Sequence, residues 1–435
     1  MKRRLILFLL AALPLCARAQ EHTFSVDADY LTRGEIRNGG IFVPEAQDED
    51  PSTINARFIL SRTRLGATYS HDWLTARLTA QHADTWGSSA ENGLSMNEAW
   101  VKAQLPLGFF AQLGRQRLSY DDQRIFGADD WSMTGFSHDG LKLGFEGGGH
   151  KVHLFGAYNQ DVDNIDRGGT RFSGGIQPYK SLASLWYHYD IPKTNLGASL
   201  LFVNMGLDDL IVVEEAEPQT CFQQLAGTFL SWTPKIFGLE ASYYHQWGKA
   251  YGGIPLNAWM ASGKATVTPS EHWSFKAGYD YLSGEEDFPT PGEGQIGLVR
   301  HEVVRGFSSL YGSNHKFYGA MDFFYVSTYV NGFTPGLQNL YTGFTWTPVK
   351  QLSADAAYHY FATAAPVQDA NRSLGHEVEL EVTWNIVPSV SLSAGYSFMQ
   401  GTDTMSILKR SSDNNRLHWG WLMLNGTPTF FKKQW

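Results

Sequence analysis

The chain has 435 residues, with 34 Lys and Arg against 43 Asp and Glu and a formal net charge of -9, which argues against an electrostatic nucleic-acid binder. Past the N-terminus no apolar run of about 18 residues occurs, so the sequence offers no membrane-spanning helix. A mean hydropathy of -0.27 suits a soluble exported protein, yet it also suits a transmembrane β-barrel, in which only half of each strand meets lipid.

Lys2, Arg3 and Arg4, the apolar run from Leu5 to Leu15 and the small-x-small site Ala17-Arg18-Ala19 read as a secretory signal over residues 1–19. Maturation is expected at Gln20, because Leu15 is too bulky for the position before a lipidated Cys16. The mature chain then carries 30 Lys and Arg against 43 Asp and Glu, or -13, and keeps one cysteine, Cys221, which excludes an intrachain disulfide. The 14 Trp, 20 Tyr, 27 Phe and 44 Gly fit aromatic membrane girdles and tight turns.

Taken in order, Phe24, Val26, Ala28 and Tyr30 alternate with Ser25, Asp27 and Asp29, the period-two signature of a strand. Leu65, Ala67 and Tyr69 oppose Arg62, Arg64, Gly66 and Thr68, while the preceding Ala56, Phe58 and Leu60 are out of phase and predict a bulge or strand end near Ser61. Leu74 to Gln81 and Glu98 to Leu105 alternate in the same way, with Arg77 and Lys102 on the polar face. Later runs repeat the scheme at Trp273–Tyr281, Glu377–Trp384 and Val390–Phe398.

Connections alternate short and long, which separates a membrane barrel from a soluble sandwich. Short ones fall at His71-Asp72, Pro106-Leu107-Gly108, Gly147-Gly148-Gly149, Pro192-Lys193-Thr194, Pro234-Lys235-Ile236, Pro269-Ser270-Glu271, Pro348-Val349-Lys350 and Val387-Pro388. Long excursions separate them at 34–53, 119–138, 160–179, 205–220 and 400–415. Trp73, Trp232, Trp273, Trp346 and Trp384 beside the short turns predict a periplasmic aromatic belt. Nineteen strand candidates can be marked, but both termini should end on the short-turn side, which requires an even number. Residues 283–336 are therefore read as one excursion into or over the pore, with 316–328 either part of it or a paired strand. The expected fold is an all-β transmembrane antiparallel barrel of about 18 strands, a single domain over residues 20–435.

The stretch Gly114 to Gly140 stands apart, because Arg115, Arg117 and Arg124 alternate there with Tyr120, Trp131 and Phe136. Guanidinium groups interleaved with rings suit a passage for charged, ring-shaped solutes. The plainer reading is a loop whose arginines pair with Asp121, Asp122, Asp129 and Asp130. Arg115 and Arg117 continue the lipid-facing phase of Ala111 and Leu113, so either they lie above the hydrocarbon or a bulge at Gly114 turns them inward.

Gly114-Arg115-Gln116 with Tyr120, Arg124, Gly127, Trp131, Gly135 and Asp139, then Leu310-Tyr311-Gly312 with His315-Lys316-Phe317 and Asp322, resembles the alginate export family of outer-membrane proteins. The resemblance spans nearly the whole mature chain. It implies an eighteen-stranded barrel with an Arg-rich path for a polyuronate and loops occluding the pore. It also implies that Arg115 and Arg124 line that path with Asp139 as counter-charge. Asp121 and Phe136 depart from the pattern, the second leaving one cation fewer.

The candidate path residues are Arg62, Arg64, Arg77, Lys102, Arg115, Tyr120, Arg124, Trp131 and Asp139, with Lys142, Lys264 and Lys276 also inward by phase. Glu377, Glu379 and Glu381 form an acidic stripe on the same inner surface, so charge pairing or a transverse field competes with a simple anion path. Ser137-His138-Asp139 resembles a hydrolase triad only in composition, since neighbours on a strand point to opposite faces. Asp48-Glu49-Asp50 and Glu285-Glu286-Asp287 lack calcium-ligand spacing, and no cofactor or metal is expected. The reading is a non-enzymatic channel of the bacterial outer membrane, surrounded by lipid, for an anionic and uronate-bearing carbohydrate. Periplasmic uptake or secretion partners are compatible with it. Rival readings are a channel for other small solutes, an outer-membrane hydrolase and a plugged structural barrel.

Overall fold

A computed structural model of the full chain describes residues 21–38, 55–88, 93–160, 177–208, 219–285, 302–324, 334–367, 370–409 and 416–435. The signal segment and the acidic run 48–50 lie outside the described residues.

Alternating residues become strands throughout. The first nine are β1 (Thr23–Asn38), β2 (Asn55–His71), β3 (Leu74–Thr85), β4 (Ser95–Gln104), β5 (Phe109–Gln116), β6 (His138–Gly147), β7 (His150–Tyr158), β8 (Ser181–Ile191) and β9 (Leu196–Asp208). The next eight are β10 (Thr220–Trp232), β11 (Phe237–Lys249), β12 (Pro255–Ser270), β13 (Trp273–Leu282), β14 (Leu337–Val349), β15 (Leu352–Ala362), β16 (Ser373–Val387) and β17 (Val390–Gly401). The last, β18, runs Arg416–Gly426 and resumes as Thr429–Gln434. Both pieces pair with β1, and Pro428, which has no amide hydrogen, marks the break. Counted as one interrupted strand, it makes eighteen.

Each strand pairs antiparallel with its sequence neighbours, and β1 closes the sheet by pairing with both β2 and β18. Closure leaves no free edge, so every backbone donor in the hydrocarbon is satisfied by a neighbouring strand. His22 and Trp435 exchange backbone hydrogen bonds at 2.9 and 3.0 Å on the short-turn rim, where an even strand number must return the chain. Across the middle of the wall most outward residues are apolar; Leu113, for example, is 63% exposed. Trp73, Trp232, Trp273, Trp346 and Trp384 are outward and exposed beside the short turns. On β13, Trp273 and Tyr281 are eight residues apart, and at ~3.4 Å per residue and a tilt of about 40° they bracket roughly 20 Å of membrane.

No bulge interrupts β2 near Ser61, where one was expected, because β1 and β3 pair with it in unbroken register. Phe58 and Leu60 instead share the inner face with Arg62 and Arg64, and the Arg37 guanidinium lies 5.5 Å from the Phe58 ring centroid. Apolar groups can face inward there because the outer half of the lumen is filled by protein.

Two inserted segments do the filling, residues 117–137 between β5 and β6 and, between β13 and β14, the described residues 306–324, while 302–305 run along the rim beside β12. The described part of 316–328, which is 316–324, contains no strand. Backbone amides join the segments: Tyr311 donates to the Ile125 carbonyl at 3.1 Å, Gly127 to Tyr311 at 2.8 Å and Ser313 to Gln123 at 2.9 Å. The approach is so close that a Cβ on Gly312 would stand 2.2 Å from the Arg124 carbonyl oxygen, so only glycine fits. Phe126, Tyr311 and Tyr318 pack with Leu182, Met205 and Tyr244 of the wall into one apolar cluster. Each such buried ring or aliphatic side chain contributes roughly 1.5–3 kcal/mol.

Candidate functional site: the lumen constriction

The segment 117–137 is fastened to the β1–β3 wall by arginines. Arg62 donates to the carbonyls of Asp130 and Ser132 at 3.0 and 3.1 Å and pairs with Asp29 at 2.8 Å. Arg64 pairs with Asp130 at 3.0 Å and donates to the Thr134 carbonyl at 3.0 Å and to Gln81 at 2.8 Å. Arg117 holds the other Asp130 oxygen at 2.5 Å. Arg33 donates to the Trp131 carbonyl at 3.0 Å while its guanidinium lies 3.8 Å from the Trp131 ring. Glu35 pairs with Arg33 at 2.9 Å and also with Arg37.

Across the lumen, Arg124 reaches the β13 wall. It pairs with Asp122 and Asp280, each at 2.8 Å, donates to the Tyr318 hydroxyl at 3.3 Å, and lies 4.1 Å from the Phe317 ring centroid. Burial alone would disfavour its charge, but Asp280, Tyr318 and Asp122 outweigh that and hold its pKa well above the ordinary arginine value. On Asp130 burial likewise favours the neutral acid, and Arg117 and Arg64 reverse it, leaving the carboxyl below its usual range. Among the described residues Asp121 and Asp129 have no arginine partner of that kind, and burial raises both.

The third side is aromatic. Tyr120 stacks on Trp186 with centroids 4.6 Å apart, and Asp121 accepts from Trp186 at 3.1 Å and from Ser199 at 2.5 Å. Trp131 stacks on His315 at 4.1 Å and 4°, and Asp322 accepts from or pairs with His315 at 3.0 Å. The acidic stripe serves the same insertion: Glu377 accepts the Met321 amide at 2.9 Å and Glu379 the Ala320 amide at 2.7 Å. Glu381 remains exposed in the lumen.

Of the expected path residues, Arg62, Arg64 and Arg124 are thus buried in the lumen with paired charges, where they fasten the insertion. Arg77 faces inward and pairs with Asp27 at 3.0 Å and Glu98 at 3.2 Å. Arg115 and Asp139 do not line the lumen. The register through Gly114 is regular, so Arg115 keeps the outward phase of Leu113 and forms a two-pronged pair with Asp139 at 2.7 and 2.8 Å. They stand at the long-connection end of their strands, above the apolar face, which corrects the assignment carried over from the family pattern. Ser137 donates to the Asn97 carbonyl at 2.6 Å, His138 meets Tyr179 at 3.1 Å and Asp139 points away, so the three do not converge.

Below the constriction, Lys102, Lys142 and Lys276 face inward, and among the described residues none has a carboxylate within the 4.0 Å of an ion pair. The Lys102 ammonium lies 3.9 Å from the Phe110 ring centroid. Lys264 pairs with Glu240 at 2.6 Å. A 190 Å³ cavity includes Lys264, Lys276, Lys316, Phe317, Tyr341 and Glu379 in its lining. Among the described residues no cluster of three metal-ligating side chains occurs.

Sequence reasoning gave no role in the path to Arg33, Glu35, Asp280 or His315, although His315 stands in the family motif. The first two were within reach, since extending the Ser25, Asp27, Asp29 alternation along β1 puts both on the inner face.

Lipid-facing belts around a closed antiparallel barrel with a charged, partly filled lumen define an outer-membrane channel of the porin class. The family model for alginate export matches residues 26–417, and the chain belongs to that family. A search of the curated proteins found no match. Among solved structures it is similar in fold to Pseudomonas aeruginosa OccK9 (OpdG), with 15% identity over 94% of this chain and 98% of that one and a TM-score of 0.59. A BenF-like porin from Pseudomonas fluorescens Pf-5 is 14% identical over 94% and 99%, with a TM-score of 0.60. Pseudomonas aeruginosa OpdK, in a structure with vanillate, is 11% identical over 93% and 99%, with a TM-score of 0.58. At these identities the likeness is one of fold.

Proposed function

We propose that the barrel passes a carboxylate-bearing carbohydrate, one containing uronic-acid units, by facilitated diffusion. The observation that carries this reading is the pair Lys102 and Lys142, inward on β4 and β6 with no carboxylate at ion-pair distance among the described residues. An ammonium without a fixed partner can replace part of the water a solute carboxylate loses. The arginines cannot, because their carboxylates are already supplied. Asp355 and Glu381 on β15 and β16 lie between a third and a half of the ring away from these lysines, so the field across the lumen orients an anion as well as attracting it. Such weak and repeated contacts let a solute leave as readily as it enters.

The test is single-channel recording with uronate oligomers as blockers. Wild type is expected to show concentration-dependent block, and Lys102→Ala with Lys142→Ala to weaken it by about tenfold, the loss of roughly 1.4 kcal/mol. Unchanged block in the double variant would remove these lysines from the path. A second reading, a monomeric aromatic carboxylate, is favoured by the 190 Å³ cavity beside Phe317 and Tyr341, too small for a polymer segment. The OpdK structure with vanillate, an aromatic carboxylate in a similar barrel, supports it. Block by vanillate stronger than by uronates would favour it.

A further inference from the structure

Outside the barrel wall, at the long-connection end of β11–β13, lies a cleft of 750 Å³. Its floor is the outward face of the strands: Tyr243, His245, Trp259 and Tyr281. Trp259 and Tyr281 stack with centroids 4.7 Å apart. Two cations from separate connections overhang them, Arg305 between β13 and β14 and Arg372 between β15 and β16. Arg372 donates to the Ala364 carbonyl at 3.2 Å, and among the described residues neither guanidinium has an ion-pair partner. His245 and Asn257, hydrogen-bonded at 2.9 Å, add polar atoms beside them.

Three features fix the occupant. The cleft opens to the membrane side of the wall, so the transported solute does not pass it. Tyr and Trp at this height mark the boundary between acyl chains and headgroups. Two guanidinia at that boundary with no carboxylate partner among the described residues suit phosphate oxygens, which arginine binds with paired donors. We propose that the cleft binds the phosphate-bearing head of a glycolipid in the outer leaflet, its phosphate on Arg305 and Arg372 and its chains running down past Tyr243 and Trp259. The sugar hydroxyls then meet His245 and Asn257.

The test uses the purified full-length barrel in neutral detergent, with tryptophan fluorescence as readout. Titrants are diphosphorylated lipid A, its dephosphorylated form and inorganic phosphate. The diphosphorylated lipid is expected to bind and to shift the emission, the dephosphorylated lipid to bind at least about tenfold more weakly, and inorganic phosphate not to compete. Arg305→Gln with Arg372→Gln should weaken the phosphorylated lipid by about a hundredfold, roughly tenfold per guanidinium, with single-channel conductance unchanged. Equal binding of the two lipid forms to wild type overturns the proposal without any variant. So does competition by inorganic phosphate, or full binding by a double variant whose conductance shows it folded.

Discussion

Arg124→Ala is expected to lower the temperature at which the barrel unfolds in detergent and to make its current noisier, the larger of two effects foreseen for the constriction. The side chain of Asp280 is 0% exposed, and after the substitution it keeps one hydrogen bond, from Asn339 at 3.0 Å. Removing one partner of a buried pair costs about 3–5 kcal/mol, because the remaining charge stays out of water. The stacking on Phe317 adds about 1 kcal/mol. Because the same guanidinium ties 117–137 to the wall and to Tyr318, the inserted segment should fluctuate between docked and undocked states on the timescale of the recording. Arg124→Leu with Asp280→Asn should recover part of the lost stability, since it removes the fully buried pair together and leaves without its arginine only Asp122, which is nearer to water. Thermal unfolding of the two variants checks this; equal loss in both would mean that the pair is not what holds the segment.

The second large effect concerns the other insertion. Leu282 and Leu337 face each other across one ladder, so a short turn can replace residues 286–333 without disturbing β13 or β14. That deletion removes Tyr311, Tyr318, Met321 and Phe324 from the lumen cluster and His315 from its stack on Trp131. Conductance is expected to rise several-fold and the emission of Trp131 to move to longer wavelength as water reaches the ring. Glu377 and Glu379 lose their amide donors at Met321 and Ala320 and regain water instead, which adds two carboxylates to the open path. Preference for anions should therefore fall as the current grows. An unchanged conductance would mean that the described part of this excursion does not limit the pore.

The wall of the barrel was legible because lipid and water impose opposite requirements on alternate residues. β13 and β16 state this without ambiguity, as in Val378, Leu380, Val382 and Trp384 against Glu377, Glu379 and Glu381. β2 did not, since Phe58 and Leu60 face a lumen already occupied, and the rule of polar interiors fails wherever protein replaces water. The constriction was legible only as a composition. Which arginine meets which acid depends on contacts between distant parts of the chain, such as Arg124 with Asp280 or Trp131 with His315, 184 positions apart. Periodicity carries no trace of such pairs. Arg115 shows the converse: its phase with Leu113 indicated the outward face from the start, and the family pattern pointed the other way.

Pairing also changes what the arginines are for. A guanidinium with its carboxylates in place is a fastener, and its contribution to the field is largely cancelled by the partner a few ångströms away. The lysines on β4, β6 and β13 lack such partners among the described residues, and so do Asp355 and Glu381, so these unpaired groups together set the field that an entering ion meets.

The reversal potential of the wild-type channel in a planar bilayer under a tenfold KCl gradient reads that field most directly. A potential of the sign set by chloride, shrinking toward zero when Lys102 and Lys142 are neutralised, is the expected result. A cation-selective channel, or a bilayer that the folded barrel leaves silent even after residues 286–333 are replaced, would contradict it.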